Sequence, residues 1–291
     1  MQQPELTDVF LELIRRTATD LPEDVEKAIR AAREQEAAGS AAQSAMNTIL
    51  ENVALARKGS TPICQDTGSL IFYVYYPAGW STRALSQQIR AAVQAATDHS
   101  YLRPNAVDSV NGKNSNTNLG EGSPTIHCEE WDDDSLKVEL MLKGGGCENV
   151  STQYSLPDAQ LGAGRDLAGV RKVVLDAVCK AQGEGCAPGV LGISVGGDRG
   201  VSYFHAKEQL FRKLDDQSPD PELAKLEYRL TQEANSLGIG PMGFGGQTTV
   251  LGVKVGAAHR HPACYFVTVA YMCWADRRRS LTWRNGEFTI A

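Results

Sequence analysis

Apolar side chains recur at helical spacing over the N-terminal part of the chain and again in three later regions. Pro22 stands where the first turn of a helix accepts proline, and Lys58-Gly59 stands where a helix stops. A Ser-Pro-Asp-Pro break at 218–221 divides the last region. The spacing predicts helices over residues 6–18, 22–38, 41–58, 82–99, 166–182 and 201–236. The first three predict a helical N-terminal region over 1–58.

Runs rich in β-branched and aromatic residues alternate with these helices and predict strands. They cover residues 70–76, 125–128, 136–142, 190–195, 248–255 and 265–272. The acidic stretch 129–134 is interpreted as a solvated hairpin tip between two of them. The order lacks a steady βαβ rhythm and a GxGxxG motif, so the prediction is an α+β fold with mixed sheets flanked by helices. Without an internal repeat or low-complexity linker, residues 1–291 are predicted to form a single domain.

Composition narrows the class of protein. The 291 residues include 29 basic and 35 acidic side chains, giving a net charge of −6, and no long basic run. A nucleic-acid partner is therefore not expected. Apolar runs are far shorter than the roughly 20 residues that cross a bilayer, so no membrane span is expected. The acidic N-terminus lacks the features of a secretory signal, which predicts a cytoplasmic location.

The seven cysteines are widely spread and contain no CxxC pair. This odd set in a chain without an export signal argues against a disulfide framework and for reduced thiols, serving as core residues or as metal ligands. Cys64 lies two residues before Asp66, in a loop bounded by Pro62 and Gly68. That loop can present a thiolate and a proton-handling group together, although a buried cysteine beside a turn-capping Asp has the same pattern.

Five further segments are candidates for binding. The amide-rich loop 103–120 is interpreted as a binding loop anchored by the strands after it, with disorder as the alternative. Lys143 and the three glycines after it suit an anion nest, although the segment is not a Walker loop. Cys186 stands on a Gly/Pro turn that suits a metal ligand, and glycine-rich 238–246 suits close backbone approach. Arg260 and His261 form a basic cluster before the last predicted strand.

Three thiolates, at Cys64, Cys186 and Cys273, can hold a 4Fe-4S cluster and leave one iron open as a Lewis acid. The nearby cations suit an acidic small molecule. At this point several motifs resemble those of the iron-sulfur hydro-lyases, the class I fumarases and L-tartrate dehydratases. They are Cys-Gln-Asp-Thr-Gly at 64–68, Asn-Thr-Asn-Leu at 116–119, Lys-Gly-Gly-Gly-Cys-Glu-Asn at 143–149, Gly-Ile-Gly-Pro-Met-Gly-Phe-Gly-Gly at 238–246, Arg-His-Pro-Ala at 260–263 and Cys-Trp-Ala-Asp-Arg at 273–277.

The resemblance spans residues 10–280 and implies a cluster-binding domain of the class I fumarase type, with site residues at matching positions. The implied ligands of a 4Fe-4S cluster are Cys64, Cys186 and Cys273. The implied contacts to substrate carboxylates are Gln65, Asp66, Arg103 and Gly146, with Lys143 adding charge. Asp66 and His261 are the implied pair for proton delivery. The other cysteines, Cys128, Cys147, Cys179 and Cys264, are then expected to be small buried hydrophobic residues.

The chain also departs from the family pattern. Cys186 is followed by Ala187-Pro188 where the family often has two prolines, and Cys147 stands where many fumarases have serine. The family's catalytic base is a threonine on a second domain, which we expect on a separate β subunit. The resemblance thus implies an α subunit, inactive by itself, that forms a homodimer within an α2β2 assembly.

The implied substrate is a C4 dicarboxylate, with reversible hydration of fumarate to malate preferred because 143–151 looks more like the fumarase side. L(+)-Tartrate dehydration to oxaloacetate and mesaconate hydration remain alternatives. A non-enzymatic or zinc-binding protein with structural cysteines is a hypothesis of another class, and a phosphate-binding enzyme that uses the glycine loops is a third.

Overall fold

The computed structural model describes residues 3–291 and divides into two compact units, each formed by separate stretches of the chain. Unit 1 comprises Met1–Pro22, Glu51–Gly144 and Asp276–Ala291, and unit 2 comprises Glu23–Leu50 and Gly145–Ala275. Each contains its own mixed sheet, so the predicted α+β class is confirmed. The prediction of a single domain stays a prediction.

Unit 1 contains a five-stranded sheet and two complete helices. Its helices are α1 (Thr7–Thr19) and α4 (Thr82–Asp98), and α3 (Ala41–Gly59) contributes its second half. Its strands are β1 (Ser69–Pro77), β2 (Thr125–Trp131), β3 (Leu136–Lys143), β8 (Arg278–Arg284) and β9 (Glu287–Ile290). They lie in the order β2-β1-β3-β8-β9.

The core of unit 1 follows from amphipathic helices packed on this sheet. In α1 the buried side chains Phe10, Leu13 and Ile14 lie on one face, as the apolar spacing predicts. Helix α4 begins at Ser81, whose hydroxyl accepts a hydrogen bond from the backbone N–H of Ala84 (3.2 Å). Both helices bury their apolar faces in one cluster with alternate residues of β1 and β3.

The predicted hairpin around residues 129–134 is wrong. Strand β2 pairs in parallel with β1, and β3 pairs antiparallel with the other edge of β1, so β1 separates the two strands. The turn itself is solvated as expected, because Arg284 pairs with Asp133 (2.6 Å) and Asp134 (3.1 Å) and all three side chains are exposed.

Unit 2 contains a four-stranded sheet surrounded by helices. Its helices are α2 (Glu23–Gln35), the first half of α3, α5 (Gly145–Asn149), α6 (Leu167–Ala181), α7 (Arg199–Gln209) and α8 (Pro221–Ser236). Its strands are β4 (Thr152–Ser155), β5 (Gly189–Val195), β6 (Val250–Ala257) and β7 (Phe266–Met272), in the order β4-β7-β5-β6.

The two central strands of unit 2 are buried along their whole length. Their continuous apolar runs, without alternation, are typical of strands covered on both faces. Helix α7 packs so closely on β5 that a Cβ at Gly192 would lie 2.1 Å from the carbonyl oxygen of Ala206. Strand β7 runs antiparallel to β5, so the end of β7 and the start of β5 share one edge of the sheet.

Within residues 3–291, no helix combines the length and the apolar character that crossing a membrane requires.

Candidate functional site

The loop after α3 carries Cys64, Gln65 and Asp66 in unit 1. The backbone N–H of Ile63 donates to the Ala18 carbonyl (3.0 Å), and the amide of Asn52 donates to the Ile63 carbonyl (2.7 Å), which fixes the start of the loop. Cys64 is partly exposed and Gln65 is exposed. The loop therefore presents these two side chains outward from a fixed backbone.

Asp66 and Gly68 shape the end of this loop. The Asp66 carboxylate accepts a hydrogen bond from the backbone N–H of Gly68 (2.9 Å). Gly68 has φ +81°, and a Cβ there would lie 2.8 Å from the backbone of Leu142 and Lys143. Only glycine suits this conformation and this close approach. The loop is thereby held against the end of β3, close to Lys143.

Thr67 connects the same loop to Arg103. The Thr67 side chain is fully buried, and its hydroxyl oxygen accepts hydrogen bonds from the backbone N–H of Arg103 (3.0 Å) and the amide of Asn105 (2.9 Å). The side chain of Arg103 is exposed. Unit 1 thus brings together the segments that carry four of the predicted substrate contacts, Gln65, Asp66, Arg103 and Lys143, although the Lys143 side chain is buried.

The amide-rich loop 103–120 is ordered largely by its own side chains. Asn118, which is buried, donates to the hydroxyl of Thr97 (2.9 Å) and the carbonyl of Arg103 (2.9 Å), and it accepts from the backbone N–H of Asn105 (2.7 Å). The loop also lines a cavity of about 750 Å³. Its predicted binding role stays a prediction.

Two buried cations lie beside the end of β3. Lys143 and Arg277 are each 1% exposed, and the backbone N–H of Leu142 donates to the Arg277 carbonyl (2.9 Å). In the part of the chain that the structure describes, Nε and Nη1 of Arg277 have no hydrogen-bond partner. A buried cation is costly unless an anion compensates it. Asp276, next to Arg277, is also fully buried and its carboxylate lies 3.5 Å from Arg278, so an acidic side chain of unit 1 already belongs to this cluster.

Cys186 lies in unit 2 on the turn between α6 and β5. Its backbone N–H donates to the Gly183 carbonyl (3.0 Å), and its φ is +55°. A left-handed conformation is uncommon for a residue with a side chain and is enriched at functional sites. The glycine-rich segment 238–246 supports this turn, because the N–H of Met242 donates to the Ala187 carbonyl (2.8 Å).

Cys273 follows β7 at the edge of the sheet where β5 begins. The backbone N–H of Trp274 donates to the carbonyl of Cys186 (3.2 Å), which joins the two cysteine segments directly. Cys273 is 8% exposed, and its thiol sulfur lies 3.8 Å from the Ala275 carbonyl oxygen. Two of the three predicted metal ligands, Cys186 and Cys273, are therefore on neighbouring segments of one unit.

Cys147 and Gly146 lie near the Cys186 turn. The Cys147 thiol is buried and lies 3.8 Å from the Gly185 carbonyl oxygen, and a Cβ at Gly146 would lie 3.3 Å from the Glu184 carbonyl oxygen. The segment predicted to be an anion nest instead forms the short helix α5. A nest requires alternating right- and left-handed residues, so that interpretation is wrong, while the predicted role of Gly146 is untested.

Tyr271 is a buried residue of unit 2, the unit that also contains Cys147, Cys186 and Cys273. Burial raises the pKa of Tyr271 above its ordinary value, and negative charge at Cys147, Cys273 and Cys186 adds to the increase. Its phenol oxygen is buried and has no hydrogen-bond partner among residues 3–291. Sequence reasoning missed both Tyr271 and Thr67, because each acts through contacts with residues distant in sequence.

His261 lies at the other edge of the unit 2 sheet. It precedes β7, whereas Cys273 follows it, and a strand of seven residues spans roughly 20 Å. The neighbouring His259 carbonyl accepts a hydrogen bond from Gly197, just beyond the end of β5. Unit 2 therefore does not bring His261 to Cys186 and Cys273, and its proton-delivery role stays a prediction.

The remaining cysteines differ from expectation. Cys147 is buried, as predicted, but Cys128 and Cys179 are exposed and Cys264 is partly exposed. Cys128 lies on β2, an edge strand with an exposed second half, and Cys179 lies on the solvent side of α6. The expectation of burial is wrong for these two, since neither position faces a core.

The donor chemistry of unit 2 fits a soft metal group. Cys186 and Cys273 supply thiols from fixed, neighbouring segments, and thiolates are the ligands that iron-sulfur clusters prefer. Within residues 3–291 no three His, Cys, Asp or Glu side chains meet as a metal-binding group. Cys64 belongs to unit 1, so the third predicted ligand stays a prediction.

Comparison with known proteins identifies the family. The sequence model described as fumarate hydratase (Fumerase) matches residues 7–282, which is nearly the whole chain. The chain belongs to this family. The resemblance predicted from the motifs is thereby confirmed, and the mixed α+β architecture of this fumarase-family chain is consistent with it.

Similar proteins carry two kinds of name. One from Geobacillus stearothermophilus, named fumarate hydratase class I, is 50% identical over 94% of this fumarase-family chain, which spans only 54% of that relative. One from Methanocaldococcus jannaschii, named L(+)-tartrate dehydratase subunit alpha, is 36% identical, with coverage of 94% and 96%. The protein of the same name from Escherichia coli K12 is 30% identical, with coverage of 95% and 90%.

Proposed function

We propose that this chain is the α-type subunit of an iron-sulfur-dependent hydro-lyase that reversibly hydrates fumarate to malate. Family membership supports the class of reaction, and the relative named fumarate hydratase class I, at 50% identity, supports the choice of substrate. The observation that carries the proposal is the direct hydrogen bond between the segments of Cys186 and Cys273.

The proposed cofactor is a 4Fe-4S cluster held by Cys64, Cys186 and Cys273. When bound, such a cluster supplies a Lewis acid at its one iron that lacks a protein ligand. The positive φ of Cys186 and the glycine-rich segment behind its turn support a thiol fixed in position before metal binding. Preorganised ligands of this kind reduce the conformational entropy lost on binding.

Substrate binding is assigned to unit 1. Arg103 offers a planar, bidentate donor set for a carboxylate, and the Gln65 amide adds neutral donors. Lys143 adds positive charge from a buried position, where electrostatic interactions are stronger than in water. Together these side chains favour a dianion over a monoanion, which agrees with a C4 dicarboxylate. Gly146 remains a proposed contact from unit 2.

Asp66 is the proposed proton-handling group for the substrate hydroxyl. Its carboxylate accepts a hydrogen bond from the Gly68 N–H, which fixes the orientation in which it could exchange a proton. Removal of the proton from C3 is assigned to a base on a separate β subunit. Arg103 and Lys143 then stabilise the negative charge that develops on the neighbouring carboxylate. His261 stays a second candidate for proton delivery.

Two relatives named as alpha subunits support the need for a partner. We propose that a β subunit completes the active site and that α subunits pair within an α2β2 assembly. The same names support a second candidate function, L(+)-tartrate dehydration, because the chain covers 96% and 90% of those relatives. Mesaconate hydration is a third candidate, and the cytoplasmic location stays a prediction.

Co-expression with a candidate β subunit under anaerobic conditions tests the proposal. Malate, L(+)-tartrate and mesaconate are assayed side by side, with iron, sulfide and zinc measured in the same preparation. We expect a brown protein with about four irons per chain and highest turnover with malate. A colourless preparation that carries zinc would overturn the hydro-lyase proposal. Highest turnover with tartrate would support the second function instead.

A further inference from the structure

Tyr271 occupies a position in β7 that the cysteine turn is built to accommodate. Its ring lies across Gly185 and Gly189, which flank Cys186 and Pro188. A Cβ at either glycine would lie 2.4 Å from the ring, so neither position can carry a side chain without displacing it. The glycines of this turn therefore make room for an aromatic residue rather than for a ligand.

The backbone of Tyr271 is also tied to the Cys147 segment. Its N–H donates to the hydroxyl oxygen of Ser151 (3.0 Å), and that hydroxyl donates to the Cys147 carbonyl (2.8 Å). The tyrosine is thus fixed both to the turn that carries Cys186 and to the helix that carries Cys147. Cys273 follows it by two residues.

The phenol oxygen is the unusual feature of this residue. Tyr271 is 2% exposed, and its hydroxyl makes no hydrogen bond within residues 3–291. Burying a hydroxyl without a partner is unfavourable, and tyrosine hydroxyls usually find one. The partly buried Tyr154 of the same unit follows that rule, since its hydroxyl donates to Asp176 (2.7 Å). The buried hydroxyl of Tyr271 can therefore donate a hydrogen bond, and residues 3–291 supply no acceptor for it.

We propose that the Tyr271 hydroxyl donates a hydrogen bond to a sulfur atom of the metal group held by Cys186 and Cys273. This inference rests on the proposed function, because it requires the cluster. The ring lies against the two glycines that flank the Cys186 turn, the backbone is tied through Ser151 to the Cys147 segment, and Cys273 follows two residues later, so the phenol belongs to the part of unit 2 that carries these thiols. A phenol is protonated at neutral pH and can donate, whereas thiolates and sulfides accept.

Tyr271 is a positioning residue in this proposal and does not contact the substrate. Hydrogen bonds to the sulfur atoms of an iron-sulfur cluster stabilise its more negative, reduced state and raise its reduction potential. Loss of the hydroxyl should therefore make reduction less favourable while leaving the ligands in place. A role limited to packing would not change the potential when the ring is kept.

The test is Tyr271→Phe in the anaerobically loaded protein, with Tyr154→Phe as the matched control. Both variants remove one phenol oxygen from unit 2 and keep the ring. Midpoint potentials are measured by redox titration with detection by electron paramagnetic resonance. We expect Y271F to lower the potential by about 59 mV, which is a tenfold change in the reduction equilibrium for one electron. We expect Y154F to match the wild type.

A second measurement covers the case in which Y271F binds little cluster. Fluorinated tyrosine at position 271 keeps the hydroxyl and makes it a stronger donor, so the potential should rise instead of falling. In the unmodified protein, an exchangeable proton coupled to the reduced cluster should be detected and should disappear on replacement of the phenol.

The outcomes separate this inference from the proposed function. A wild-type protein that binds no cluster would overturn both. A wild-type protein that binds a cluster, with the same potential in Y271F or in the fluorinated protein, would overturn the role of Tyr271 and leave the hydro-lyase proposal intact. Equal shifts in Y271F and Y154F would also overturn it, because the effect would then not depend on the sulfur neighbours.

Discussion

The five-stranded sheet of unit 1 and the four-stranded sheet of unit 2 carry different chemistry at their ends. Beside β1 and β3, unit 1 presents the carboxylate of Asp66 and the cations Arg103 and Lys143. At the shared edge of β5 and β7, unit 2 presents the thiols of Cys186 and Cys273. Most of the groups suited to an anionic substrate therefore belong to one packing core and two of the three proposed metal ligands to the other, with Cys64 in unit 1 and Gly146 in unit 2 as the exceptions.

The largest expected effect is the loss of a proposed sulfur ligand. Cys186 and Cys273 belong to unit 2 together with Cys147, whereas Cys64 belongs to unit 1. We expect Cys64→Ser, Cys186→Ser and Cys273→Ser each to abolish stable cluster binding and reduce activity to background. Cys147→Ser should retain the cluster, since serine can still donate to the Gly185 carbonyl. Iron, sulfide and visible absorption are the measurements.

Cys128→Ser is the control for these cysteine variants, because Cys128 is exposed on β2. Retention of iron in Cys64→Ser together with its loss in Cys147→Ser would show that unit 2 supplies all the ligands. The assignment of Cys64 to the cluster would then be wrong.

The next effect concerns proton transfer. Asp66→Asn keeps an oxygen that can accept from Gly68, so the turn should survive while the acidic group is lost. Positioned acid–base groups contribute about 10²–10⁴-fold, and we expect kcat to fall at least about 100-fold with little change in cluster content. His261→Asn is the comparison, measured by kcat and its pH profile. Equal losses of kcat in the two variants would support the predicted pair for proton delivery. A loss of kcat in His261→Asn only would show that Asp66 does not take part in proton transfer.

A smaller effect is expected at Thr67. Thr67→Val leaves the Arg103 N–H without its acceptor and the Asn105 amide with only its longer hydrogen bond to the Gly68 carbonyl (3.4 Å), at a cost of about 1–3 kcal/mol in unfolding free energy. KM should rise more than kcat falls, because the variant disturbs the position of Arg103. Thr67→Ser retains the hydroxyl and should behave as the wild type in denaturation and kinetics. An unchanged KM in Thr67→Val would separate Arg103 from substrate binding.

The smallest effect is a pH dependence in α1 of unit 1. The hydrogen bond from Arg15 lowers the pKa of Glu12 from 4.5 to about 2, with Arg16 adding to the decrease. Folding therefore favours the carboxylate, and this contribution is complete above pH 4.5 and is lost as the pH falls towards 2. We expect Glu12→Gln to cost less than about 1 kcal/mol at pH 7, because the pair is partly exposed.

Denaturation of the wild type and Glu12→Gln at pH 7 and pH 3 measures that contribution, and the difference between the two proteins should shrink at pH 3. Exposed Glu51, replaced by Gln, is the control. A difference that stays constant with pH would contradict the role of the Arg15 hydrogen bond.

Local pattern was enough to predict most elements, because their apolar residues repeat with the period of the structure they form. The β8–β9 hairpin was missed, since the three arginines at 277–279 suggest a solvated surface. A signal was present in Asn285-Gly286, whose positive φ values of 53° and 91° are those of a tight hairpin turn. The parallel pairing of β1 with β2 could not be predicted, because it depends on contacts distant in sequence.

In the candidate site, too, features with a local sequence signal could be predicted and features that depend on distant contacts could not. Cys186 could be predicted as a fixed side chain because glycine and proline flank it, and the neighbouring segment of Cys273 is consistent with that prediction. The helix at Gly145–Asn149 was missed because glycine disfavours helices and the run resembles a loop. Tyr271 and Thr67 have no local signature, because their importance comes from a buried hydroxyl whose surroundings only the fold defines.

The order of strands in unit 1 also has a consequence for biosynthesis. Strand β8 lies between β3 and β9, although its residues follow the whole of unit 2 in the sequence. A ribosome that adds about 5–20 residues per second must therefore complete unit 2 before β3 can acquire its neighbour. Until then one edge of β3 stays open to wrong pairing, so chaperone demand during translation should centre on unit 1.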